Sequence, residues 1–167
     1  MDLRTALKEQ YHSGLAMLRQ CIELCPDDMW TSGTHPRTYW RIAFHAAFFT
    51  QLYLGQNEAA FEKWPGCDEA GHPGLWEQPA YVEPYELPEA AKTYERKMLL
   101  DYVDFVVEKI DSIIDNLDLE TDDSGFSWYE DTSKLSHVLM TLRHLQGHVG
   151  QLSELLMARD IDIDWIS

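Results

Sequence analysis

Residues 40–54 read WRIAFHAAFFTQLYL. Apolar side chains occupy nearly every side of a helix drawn through them. A helix with so little polar surface is buried all round, or turns one face to another subunit, which makes a homodimer a candidate assembly. His45 interrupts the pattern, on the stripe Ile42, His45, Phe49, Leu52. Pro36, preceded by Thr34 and His35, suits a first helical turn, so the helix is expected over about residues 36–55.

Three further helices follow from apolar residues recurring at three- and four-residue steps. Residues 2–25 carry Tyr11, Leu15, Leu18, Ile22 and Cys25, and Pro26 with Asp27 and Asp28 ends them. Residues 87–117 carry Leu99, Val103, Val106, Ile110, Ile113 and Leu117, and the acidic stretch LDLETDDSG (117–125) breaks them. Residues 132–159 carry Val138, Leu142, Leu145, Val149, Leu152 and Leu156, with Thr132 or Ser133 as N-cap. The expectation is an all-α fold, a four-helix bundle in one domain over residues 1–167. Between its second and third helices lie residues 56–86, long enough for a crossover. Pro65, Pro73, Pro79 and Pro84 keep this connection aperiodic, and Trp64, Trp76, Tyr81 and Tyr85 favour its packing down on the helices.

Composition narrows the partners. A formal charge of −16 argues against nucleic acid and anionic membranes, which call for a basic surface. No apolar run approaches the roughly 18 residues of a membrane span. The opening MDLRTALKEQ has no apolar signal region, so a cytoplasmic location is expected. Three cysteines, Cys21, Cys25 and Cys67, are an odd set without regular spacing and read as free thiols, Cys67 the more exposed.

The chemistry sits in RHLQGHVGQL, residues 143–152. His144 and His148 stand at i and i+4, so their rings leave one helix face a turn apart and reach a common ion. Gly147 and Gly150 let a ligand or another backbone approach. A buried histidine needs hydrogen-bond partners or a metal, so His45 in the most apolar helix is the natural third ligand. Gln151, one turn past His148, is placed to hydrogen-bond a bound water. His12 and His137 are further candidates for substrate contact. His137 lies two turns from His144, about 10 Å along the axis, too far to share its ion. Trp64, Trp76 and Tyr81 could roof the site, and Glu154 is a base by position alone. His35 and His72, beside prolines, read as exposed loop residues.

These patches, RIAFHAAFFTQLYL and HLQGHVGQL, resemble the DinB/YfiT-like superfamily of metalloenzymes. In that family one histidine stands on the second helix of a four-helix bundle, and an H-x-x-x-H pair stands on the fourth. The trailing Gly150-Gln151-Leu152 matches as well; Gly147 stands where many members carry an aromatic residue. The resemblance implies one divalent ion, zinc first, with nickel, iron or manganese as alternatives, on His45, His144 and His148. It further implies a small-molecule substrate, with transfer of a low-molecular-weight thiol or hydrolysis as the reaction. Relatives of this kind include bacillithiol S-transferases and mycothiol-dependent isomerases. Three imidazoles leave coordination positions open, as catalytic zinc sites do. The competing reading is a non-enzymatic stress-response protein in which the ion is structural. A di-iron bundle is rejected, because it needs Glu-x-x-His motifs paired on two helices, and of the two such spacings, Glu9 to His12 and Glu69 to His72, the second lies in the connection. H-E-x-x-H, P-loop and dinucleotide motifs are absent.

Overall fold

The computed structural model describes residues 2–69, 89 and 91–167. Among them the fold is all helical. Its elements are α1 (Leu3–Leu24), α2 (Asp27–Trp30), α3 (Tyr39–Leu54), α4 (Gly66–Glu69), α5 (Arg96–Asn116) and α6 (Lys134–Met157), with a 3₁₀ turn at Glu58–Ala60. No helix among the described residues is long and apolar enough to cross a membrane.

Capping residues set several helix starts. The Asp2 carboxylate accepts from the Thr5 backbone N–H at 2.9 Å, and Ser133 caps α6 from the Ser136 N–H. Two starts fall later than the periodicity predicts. Pro36 lies ahead of α3, after a cis His35–Pro36 bond. There the Arg37 N–H closes a turn on Thr34 O, and the Tyr39 N–H reaches back to Ser32 O. Helix α5 begins at Arg96 and not near residue 87. Tyr94 explains this delay. Its ring is fully buried and stacks 5.0 Å from Phe44, while its carbonyl accepts from the Trp30 indole at 2.8 Å. Both contacts tie Tyr94 to α2 and α3 ahead of the first turn of α5.

The four long helices form a ring in the order α1, α5, α3, α6. Side-chain ties give their directions. Lys8 meets Asp115 and Arg19 meets Asp104, so α1 and α5 are antiparallel. Tyr11 Oη donates to Val138 O at 2.7 Å and Cys21 packs on Val149, so α1 and α6 run parallel. Trp40 meets Tyr94 and Gln51 meets Tyr102, so α3 and α5 also run parallel. The chain between them must therefore return the length of α3, about 24 Å.

Helix α3 is the centre of the core. Every one of its residues is buried except His45, which is half-buried. Its apolar surface is covered within one chain, so it provides no ground for a homodimer. Ala43, Ala46 and Ala47, fully buried, let neighbouring helices approach. On the other long helices the expected stripes hold with two shifts: Ile114 is buried where Ile113 is half-buried, and Thr141 where Leu142 is. All three cysteines are buried, Cys67 included, where the more exposed position was expected. Burial pushes the Cys21 thiol up to about 12 and the Cys25 thiol up to about 11, which makes both inert at neutral pH.

Candidate metal centre

Helices α3 and α6 pack antiparallel, and their contact line carries the histidines. Tyr53, late in α3, meets His137, early in α6; His45, mid-way, meets His144 and His148. Gly14 helps to seat α6 on α1. A Cβ there would lie 2.7 Å from Gln146 Nε2 and 2.9 Å from Leu145 Cδ2. The absence of that carbon allows α6 to close down beside the residue next to His144.

The three imidazoles converge. His144 Nε2 lies 3.1 Å from His45 Nε2 and 3.0 Å from His148 Nε2. Among the described residues, these three form the one group of histidine, cysteine or acidic side chains whose ligand atoms lie close enough to hold a metal ion. Tetrahedral bonds of about 2.0–2.1 Å would set ligand nitrogens roughly 3.3 Å apart, so the observed spacing fits with a few tenths of an ångström of expansion. The arrangement also has an electronic logic. Burial, reinforced by His148 and His45, pushes the His144 imidazole down to about 3, so at neutral pH it is uncharged. A neutral ring keeps a lone pair for a ligand bond. The Nδ1 of His144 is buried without a hydrogen-bond partner. The Phe49 ring, 4.5 Å from His45 and 5.8 Å from His144, walls the site on the α3 side.

All three histidines are half-buried, which places the site at the margin of the core. Gly147 and Gly150 are exposed, and a Cβ on either would meet nothing within 4 Å. Among the described residues no other backbone packs against them.

The remaining candidates divide. Gln151 is at the site, its Oε1 2.7 Å from His148 Nδ1. His12 does not face the cavity; its Nε2 lies 2.8 Å from Asp111 Oδ1 on the exposed α1–α5 surface. His137 is fully buried among the rings of Tyr53, Phe126 and Tyr129, sealed from any substrate. Trp64 does not roof the histidines. It is buried on the α3–α5 side, stacked 4.6 Å from Tyr102 and 5.9 Å from Tyr94. Trp76, Tyr81 and His72 lie outside the described residues. Glu154 and His35 are exposed.

Sequence reasoning missed Lys134. This fully buried lysine donates to Gly55 O at 2.7 Å and Ser124 O at 2.6 Å, capping the carbonyl end of α3 with an ammonium. The signal was its place at the first turn of α6, where a lysine is unfavourable to the helix dipole and so needs another reason. No protein-family model, curated protein or solved structure matches the chain.

Proposed function

We propose that this chain is a DinB/YfiT-like four-helix-bundle metalloenzyme that binds one divalent ion, zinc first, on His45, His144 and His148. The observation that carries this reading is the convergence of three half-buried imidazoles, with His144 Nε2 3.1 Å from His45 Nε2 and 3.0 Å from His148 Nε2 and all three ligand atoms within 4.8 Å of one another. A divalent ion held there would supply a Lewis acid with coordination open to water or a thiolate. The chain's own part is to present three neutral donors and to keep one side of the site dry with Phe49. The reaction proposed is transfer of a small thiol to an electrophile, or hydrolysis, on a small-molecule substrate. Among the described residues no fourth protein ligand joins the three histidines, which supports this over a purely structural ion, because structural zinc sites are usually closed by four protein ligands.

Two measurements test the reading. Metal analysis of purified protein should find about one divalent ion per chain, and His144→Ala should remove it; full metal content in that variant would overturn the site. Zinc-loaded protein should transfer bacillithiol, mycothiol or glutathione to an electrophile such as a haloaromatic, or hydrolyse a small ester or amide. Absence of metal-dependent turnover with all of them would leave the ion a structural role.

A further inference from the structure

We propose that the molecule reaching the metal centre carries a carboxylate, and that Arg143 is the specificity-determining residue that receives it. This inference rests on the metal-centre reading above and names the substrate class of that site.

Position comes first. Arg143 is exposed and stands directly before His144 on α6. At 3.6 residues per turn, Arg143 lies about 100° around the helix from His144, and Gly147 about 60° on the same side. The core residues Leu145 and Val149 lie on the opposite side. Arg143 and Gly147 are therefore on the outer flank of the histidine pair. A Cβ on Gly147 would meet nothing within 4 Å, and the glycine contributes no side chain between the guanidinium and the histidines.

Pairing comes second. The chain has 29 acidic and 13 basic residues, so carboxylates are plentiful. Lys8 takes Asp115, Arg19 takes Asp104 and Arg159 takes Asp28. Arg143 makes no ion pair or hydrogen bond among the described residues. Its neighbours three and four positions away are Leu139, Met140, Gln146 and Gly147, so α6 itself offers it no acid. The other cation of α6, Lys134, is fully buried and engaged by Gly55 O and Ser124 O.

The chemistry follows from both. A guanidinium presents a planar fork of N–H donors that a carboxylate matches with two hydrogen bonds. A chain of charge −16 repels anions as a whole, so a carboxylate brought to the histidines needs a cation beside them. Arg143 supplies it one residue from a ligand.

The test uses the full chain loaded with Co²⁺ and two thiols, 3-mercaptopropionate and its neutral amide, read by the thiolate-to-cobalt charge-transfer band. The wild type should bind the carboxylate probe about 10-fold tighter than the amide. The overall charge acting alone predicts the reverse order. Arg143→Gln should abolish the preference, with Co²⁺ content and affinity for the amide unchanged. Arg143→Lys should keep part of it, because an ammonium holds the charge without the fork. A loaded wild type that binds neither probe, or both alike, would overturn the inference and leave the metal site standing, as would an Arg143→Gln protein that keeps the preference. Failure of the wild type to bind Co²⁺, Zn²⁺ or Ni²⁺ would overturn the metal site and the inference with it.

Discussion

Acid should destabilise this protein through a residue that takes no part in the metal centre. His137 is fully buried on α6, and neither ring nitrogen has a hydrogen-bond partner. Rings surround it: Phe126 at 4.9 Å, Tyr129 at 5.0 Å and Tyr53 at 5.2 Å. Burial, and secondly the Lys134 charge one turn away, push its imidazole down from the ordinary 6.5 to about 4. Above pH 6.5 the ring is neutral in both the folded and unfolded chain, and its contribution to stability is complete. Between pH 6.5 and about 4 the unfolded chain holds a proton that the folded one lacks, so stability falls as pH falls, by up to about 1.4 kcal/mol per pH unit. Below about pH 4 both states are protonated and the loss stops growing. The full loss approaches about 3 kcal/mol, an upper bound because local opening would hydrate the ring. The perturbation is His137→Phe, which fills the same aromatic nest with a ring that cannot titrate. Urea unfolding in EDTA at a series of pH values measures the difference, with the metal-centre histidines contributing equally to both proteins. From pH 7 to pH 4 the wild type should lose about 3 kcal/mol more than the variant, roughly 6–12 °C in Tm for a chain of this size. Parallel stability profiles for the two proteins would refute the reasoning.

Two other substitutions probe the scaffold. Lys134→Met removes the donor from two carbonyls, Gly55 O and Ser124 O, and leaves both without it in the core; a loss of about 2–4 kcal/mol should appear in thermal melts, and an unchanged Tm would show that the ammonium is dispensable. Gly125 has φ of +82°, and a Cβ there would lie 2.1 Å from Gln56 O, so Gly125→Ala should destabilise by about 2–4 kcal/mol. Gly147→Ala is the matched control: with nothing within 4 Å, it should gain up to about 1 kcal/mol of helix propensity and leave the metal content intact.

The amino-acid sequence by itself determined the helical class, because the apolar residues of α1, α5 and α6 recur at helical period and form stripes that need burial. It determined the pair His144 and His148 as well, since i,i+4 spacing on one helix is a local property. Their meeting with His45 was not local. It requires α3 and α6 to run antiparallel in register, and that register depends on contacts such as Tyr53 with His137 and Tyr11 with Val138. The same limit explains the misplaced candidates. His12 and His137 lie on helices whose rotation about their axes is decided by neighbours: Asp111 of α5 draws one to the surface, and an aromatic nest from α3 and the 126–129 turn encloses the other. Gln151 was legible from its place in the motif, but its contact with His148 Nδ1 was not, because a one-dimensional pattern shows proximity and not which ring nitrogen faces which oxygen. The all-round burial of α3 was legible from WRIAFHAAFFTQLYL. Only the tertiary structure showed that one chain accomplishes it, and that the residue left half-open on that helix is His45.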